Sequence, residues 1–220
     1  MALIVVDSGG ENSIVVASGA NYRLSPDDLF ARAEAFKAAE VVLLQLELPL
    51  PTVRAAIDLA RRHRCKVILD PAPAPPRIPE ALFQVDVISP NAAEAEAITG
   101  KKAIEERVGK HAASELIARG ARAAVLKLGQ RGSMVATADG SFHTVEPYKV
   151  QVVDTTAAGD AFTAALAVAV ASGTDLPEAA RFANAAGALA CTRLGAQAAM
   201  PTLHEVRALM AEQAGPAPAR

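Results

Sequence analysis

Short β-branched and aliphatic runs alternate along the chain with longer stretches rich in Ala, Leu, Glu and Arg. That is the pattern of βαβ units laid around a mostly parallel sheet. Residues 2–6 and 13–17 flank Ser8-Gly9-Gly10-Glu11-Asn12 and predict a hairpin. Ser25-Pro26-Asp27-Asp28 opens a helix with a Ser cap, Pro at the first helical position and acids in the first turn. The nearly continuous apolar run at 41–46 predicts a strand covered on both faces. A helix over 52–64 and strands at 66–69 and 85–89 follow, the last two separated by the stiff loop Pro71-Ala72-Pro73-Ala74-Pro75-Pro76.

Helices over 92–99 and 112–119 are stopped by Gly100 and Gly120. Strands at 123–128 and 133–137 surround Gly129-Gln130-Arg131-Gly132, and Asp139-Gly140 turns the chain into a strand at 141–145. A β-branched run at 150–153 reads as a strand, and helices over 160–171, 176–194 and 203–213 complete the chain. With no repeat and no linker, the pattern predicts one α/β domain over 1–213 and a frayed tail at 214–220.

Composition narrows the function classes. Apolar residues make up 51% of the 220, enough for a core. A balance of 22 Lys+Arg against 24 Asp+Glu removes the electrostatic case for nucleic-acid or acidic-membrane partners. Two cysteines, Cys65 and Cys191, and four scattered histidines exclude a disulfide scaffold and a His- or Cys-based metal cluster, and they fit a reducing cytoplasm. The opening apolar run is too short for a signal sequence, and the Ala-rich stretch at 161–171 is too short for a membrane span.

The chemistry concentrates in Asp154-Thr155-Thr156-Ala157-Ala158-Gly159-Asp160, where a run read as a strand passes into a long helix. Side chains this small let the backbone N–H groups of residues 157–160 point at one spot at the helix N-terminus, an anion-binding arrangement. A carboxylate there competes with an anion if it acts only as a charge. As a base beside a bound phosphoryl group it takes the proton of an attacking hydroxyl. Read alone, Asp160 is first of all an acid capping the helix.

The heptad D-T-T-A-A-G-D resembles the signature D-T-x-[GA]-A-G-D of the ribokinase-type carbohydrate kinases. Other marks recur in the family's order: Gln45-Leu46-Glu47, Asp70-Pro71-Ala72-Pro73-Ala74, Pro90-Asn91-Ala92-Ala93-Glu94, Leu128-Gly129-Gln130-Arg131-Gly132 and Arg193-Leu194-Gly195-Ala196-Gln197. They are closer to the ribokinase branch than to adenosine kinases or fructokinases.

The resemblance implies a three-layer α/β/α sandwich with a mostly parallel central sheet, and part of a small β lid at 1–18 ahead of a nucleotide-binding core at 19–213. It implies ATP-dependent phosphorylation of the 5-hydroxyl of D-ribose. Asp160 is then the general base, and the backbone of Ala157, Ala158 and Gly159 holds the charge developing on the γ-phosphoryl group. Glu47, with Asp160, contacts the sugar. The nucleotide lies along Asn91, Lys127, Leu128, Gly129, Gln130, Arg131, Gly132, Gly159 and Asn184. Glu94 of the N-x-x-E motif stands near Mg²⁺, reached through water. A monovalent cation, K⁺, takes oxygens from Asp154, Thr156, Ala190, Arg193, Gly195 and Ala199, mostly backbone carbonyls; Ala199 departs from the Ser common there. Without the resemblance, Glu94 reads as a solvated helix face, Gly129–Gly132 as a plain turn and Asp154 as a turn residue accepting backbone N–H groups.

The chain departs from the family at its start. The Asn-x-Asp of the first strand and the Gly-Gly-Lys-Gly-x-Asn sugar loop have no counterpart, and Gly9-Gly10-Glu11-Asn12 is a hairpin turn instead. The resemblance therefore covers about two thirds of a complete enzyme, which implies a truncated form, or an internal start at Met1, with impaired sugar binding and central sheet strands absent. An apolar run such as 41–46 is then left at an open edge. The alternatives are a related kinase acting on another furanose or a nucleoside, and a non-catalytic nucleotide-binding module. A Rossmann dehydrogenase is disfavoured, since no Gly-x-Gly-x-x-Gly follows the first strand. The lid strands stay apolar on both faces, which a homodimer through the lid explains; packing on their own domain is the other reading.

Overall fold

The computed structural model describes residues 2–6, 12–75, 77–101 and 106–213. β1 (Ala2–Val6) and β2 (Asn12–Val16) pair antiparallel as a separate two-stranded sheet, with Leu3 opposite Val15. The predicted turn between them, Pro76 of the proline loop and the tail at 214–220 lie outside the described residues.

The main sheet has six strands in sequence order: β3 (Val41–Leu44), β4 (Lys66–Leu69), β5 (Val87–Ile88), β6 (Ala123–Lys127), β7 (Ser133–Thr137) and β8 (Phe142–Val145). The first four run parallel, β7 runs antiparallel to β6, and β8 is antiparallel to β7 and so restores the common direction.

Alternate side chains of each central strand enter two different cores. Val67, Leu69, Ile88, Ala124, Leu126, Met134 and Ala136 face a cluster built with α3 (Leu50–Arg62), α4 (Ala92–Thr99) and α5 (Glu106–Ala118). Ile68, Val87, Ala123, Val125 and Val135 face the opposite cluster with α6 (Ala158–Ala171), α7 (Leu176–Ala190) and α8 (Leu203–Glu212). A period-two alternation with apolar residues in both phases requires helices on both faces. The result is three layers, as expected.

Local chemistry sets the helix ends. Ser25 caps α1 (Pro26–Phe30) in a reciprocal capping box with Asp28, and α2 (Ala33–Lys37) follows. Asn91 and Glu94 form the same box at the start of α4, which ends at Gly100 in the left-handed conformation.

Several expectations are corrected. β3 stops at Leu44 and is the outer strand, its far side unpaired among the described residues; Val42 packs on the first core and Val41 on the second, while Leu43 is 40% exposed. Only Val87–Ile88 of the 85–89 run pairs as a strand. α5 begins at Glu106, a turn and a half ahead of its predicted start, and α3 spans Leu50–Arg62 rather than 52–64. α7 ends at Ala190, not 194, because the Cys191 carbonyl turns to accept Val153 N–H and Asp154 N–H.

Residues 150–153 form no strand. Val153 N–H is taken at 2.8 Å by the Cys191 carbonyl at the end of α7, and a side chain holds the residue just before the run. Gln213 Oε1 accepts Lys149 N–H at 3.0 Å, and Gln213 Nε2 donates to the Lys149 carbonyl at 2.8 Å. A side-chain amide thus supplies the pair of bonds a neighbouring strand would supply.

Candidate active site

Parallel strands carry ligands at their carboxyl ends, and here four strand ends meet the first turns of α6. After β3, the Gln45 amide Nε2 donates to Asp160 Oδ1 at 3.0 Å. After β4, Asp70 is buried, and its Oδ2 lies 2.5 Å from Lys127 Nζ at the end of β6 and 2.8 Å from Thr163 Oγ1 on α6. After β5, Asn91 bridges to Lys127 while capping α4. Residues remote in sequence therefore share one end of the sheet.

Asp160 is the third residue of α6, whose cap is Ala157 with φ 59°. A left-handed residue followed by right-handed ones turns successive N–H groups toward one side, the geometry of an anion nest. One donor of the expected set is spent internally, since Ala158 N–H reaches the Thr155 carbonyl at 3.2 Å. Lys127 Nζ lies 3.8 Å from the point where a Cβ on Gly159 would sit, so an ammonium flanks the nest.

Beside it opens a cleft of about 520 Å³. Of the residues assigned to the nucleotide, Lys127, Gly129, Gln130, Gly132, Gly159 and Asn184 line it. Leu128 packs against the first core, and Arg131 and Asn91 are not among the lining residues. The turn at 129–131 is closed by Leu128 N–H on the Gly132 carbonyl at 2.9 Å. Asn184 Nδ2 donates to the Val145 and Glu146 carbonyls at 3.2 and 3.0 Å, which fixes the amide and leaves its oxygen for a ligand. Tyr148 and Phe162 also line the cleft and were not expected from sequence. Gln45, Asp70 and Thr163 are the other additions. Their signal was present in part, because Gln45 and Asp70 directly follow strands that feed this end.

The acids differ in surroundings. Burial pushes the Glu94 carboxyl above its ordinary range, against the Asn91 backbone bond that lowers it. Both Glu94 oxygens accept from Asn91, at 2.7 and 2.8 Å.

Asp154 is held below the usual carboxylate range by Gly195 N–H at 2.9 Å and by the Thr156 hydroxyl and N–H. It acts as the turn acceptor that the bare residues predicted. These bonds bring Asp154, Thr156 and Gly195 together, beside the chain that follows Ala190. The Arg193 guanidinium instead pairs with Glu205, and Ala199 is buried in a short 3₁₀ turn. The Glu47 carboxylate is exposed two residues beyond Gln45.

Six mostly parallel strands between two helical layers, with an acid at the nest and a nucleotide-sized cleft beside it, define a phosphotransferase of the sugar-kinase type. The pattern of the pfkB family carbohydrate kinases matches residues 1–203, and the chain belongs to that family. Within it the chain is ribokinase-like. It is 38% identical over 206 residues to the ribokinase of Staphylococcus aureus (strain COL), covering 93% of this chain and 67% of that protein. A deoxyribokinase of Salmonella typhi is 32% identical over 206 residues, with the same two coverages, 93% and 67%. The structure of Arabidopsis thaliana ribokinase complexed with ribose and ATP superposes with a TM-score of 0.85 at 33% identity, covering 95% of this chain and 68% of that one. The chain thus spans about two thirds of the length of these relatives.

Among the described residues, no helix is long and apolar enough to cross a membrane, and no cluster of three or more His, Cys, Asp or Glu side chains could hold a metal.

Proposed function

We propose that this chain transfers the γ-phosphoryl group of ATP to the 5-hydroxyl of D-ribose. The observation that carries the reading is Asp160 at the mouth of the nest, oriented by Gln45, with a nucleotide-sized cleft beside the nest and the exposed Glu47 two residues beyond Gln45. Asp160 accepts the proton of the ribose hydroxyl as its oxygen forms a bond to γ-phosphorus. The bond from γ-phosphorus to the bridging oxygen breaks, and ADP leaves with the electron pair. N–H groups of Ala157 and Gly159 face the charge on the equatorial oxygens, preorganised so that nothing reorients during transfer.

Mg²⁺ bound with the nucleotide would supply neutralisation of phosphate charge, and Glu94 would be the acid to which its waters donate. Backbone carbonyls around Asp154, Thr156, Ala190, Arg193, Gly195 and Ala199 would hold K⁺ beside the nest.

The test is a coupled ATPase assay with D-ribose, Mg²⁺ and K⁺. It is run on this chain and on a form extended at its N-terminus to the length of its relatives, each with Asp160→Asn. Ribose-dependent turnover that drops by about 10²–10⁴-fold in Asp160→Asn supports the reading. Turnover that ignores that substitution overturns the assignment of the base. A second acceptor is favoured by one observation, the similarity to a deoxyribokinase. Preference for 2-deoxyribose over ribose in the same assay would replace the sugar and leave the mechanism standing.

A further inference from the structure

Lys127 and Asp70 form an ion pair that is almost dry, with their side chains 11% and 3% exposed and 2.5 Å between Nζ and Oδ2. Burying two charges costs more than a pair of apolar residues of the same size, so such a pair is poor evidence of a purely structural role. This one is also incompletely satisfied. Asp70 Oδ1 is buried with no partner. The Lys127 ammonium has three donors, yet its partners are Asp70 and, at a long 3.5 Å, Thr163 Oγ1.

The spare donor capacity points somewhere. Lys127 lines the nucleotide cleft, and its Nζ stands 3.8 Å from the Cβ position of Gly159, at the rim of the nest. Thr163 fixes the registry from the other side, its Oγ1 lying 2.9 Å from the Gly159 carbonyl and 2.8 Å from Asp70 Oδ2. A cation is thus tied by a carboxylate and a hydroxyl to the same turn of α6 that presents the nest. An ammonium held in a dry site is a strong partner for phosphoryl oxygens, because little water screens it.

We propose that the Lys127 side chain is a catalytic cation that grips the transferring phosphoryl group, with Asp70 and Thr163 as the positioning residues that aim it. This deepens the kinase reading above and rests on it. In that arrangement Asp70 balances the ammonium when no nucleotide is bound, and the γ-phosphate takes up the uncommitted donors when it is. ADP, which ends at the β-phosphate, engages the lysine less than a triphosphate does.

The experiment is calorimetric titration of Mg²⁺ with ADP and with the non-hydrolysable triphosphate AMP-PNP, on the wild type, Lys127→Met and Lys127→Met/Asp70→Asn. The double variant removes both charges together, so no unpaired carboxylate is left in the interior, and a thermal melt confirms folding. The expected result is a loss of AMP-PNP affinity of about 10- to 100-fold, the worth of one charge-assisted hydrogen bond, with ADP affinity changed less than about threefold in both variants. An unchanged ratio of the two affinities overturns the proposal. So does a parallel loss of both nucleotides in Lys127→Met that the double variant restores, since that is the signature of a lysine present only to neutralise Asp70. A wild type that binds neither nucleotide sinks the kinase reading itself and takes this inference with it.

Discussion

The amide of Gln45 lies 3.0 Å from the carboxylate of Asp160, joining the residue after an edge strand to the first turn of a helix 115 positions later. One oxygen of the acid is thereby occupied. Gln45→Leu removes the bond without adding a charge. Turnover is expected to fall about tenfold, as for other lost orienting hydrogen bonds, while ADP affinity stays unchanged. A variant that lost ADP affinity as well would place Gln45 in the nucleotide site rather than behind the base.

Gly132 sits at φ 74°, and a Cβ added there would meet the Val145 carbonyl at 2.0 Å and the Pro147 nitrogen at 2.8 Å. Both obstacles are main chain, which cannot move aside cheaply. Gly132→Ala should cost about 2–3 kcal/mol in urea unfolding. Gly129, at φ 59° with open space around it, should lose only about 1 kcal/mol on the same change. Equal losses at the two positions would contradict the close packing at Gly132.

Ala157 holds a left-handed backbone that glycine adopts freely. Ala157→Gly relieves about 1–2 kcal/mol of strain and gives back about 0.5–1 kcal/mol through the looser unfolded chain. A gain of up to about 1 kcal/mol is expected from denaturant melts. A clear loss would mean that the alanine methyl is packed rather than merely tolerated.

Glu205 is drawn down to about 2 by the Thr202 N–H, the Arg193 guanidinium and the Thr202 hydroxyl. Its ordinary value is 4.5, so the folded state holds the charged form. The stabilisation is complete above the unfolded value and disappears as pH falls toward the folded one. Melting temperature should therefore drop between about pH 4.5 and pH 2, and Glu205→Gln should flatten that part of the curve. An identical acid slope in the variant would assign the loss to other carboxylates.

Leu43 is 40% exposed on a strand whose outer side is unpaired among the described residues. Apolar edges of this kind recruit other strands. Leu43→Lys should raise the protein concentration at which light scattering detects association. Scattering indifferent to the change would place the sticky surface elsewhere.

The layers were legible because alternating phases on β4 and β6 are both apolar, and only helices on two faces accommodate that. Asp160 and the cleft turn at Gly129–Gly132 stood out through the resemblance of their motifs, since residue types alone read as a helix cap and a plain turn; close backbone approach constrains only Gly132. The 150–153 run misled because β-branched residues report an extended backbone, not the presence of a neighbouring strand. Here Val153 N–H goes to the Cys191 carbonyl at a helix end, and Gln213 holds Lys149 just ahead of the run. Lys127 and Asp70 stand out separately in the sequence, each at a strand end, but their meeting with Thr163 left no local trace. The three come from separate elements, and only the convergence of strand ends on α6 makes them neighbours.

A Cβ on Gly187 would lie 3.2 Å from the Ala158 carbonyl, so α7 supports the opening turn of α6 backbone against backbone. The nest is accordingly located by how two helices lean on each other and by no rotamer. Ligands that ask this end of the molecule to widen must prise the helices apart, and they will meet something close to an anvil. Under the proposed function, substitutions at Glu47, which lies in the segment after β3, would alter the acceptor side and leave that helix-on-helix support untouched.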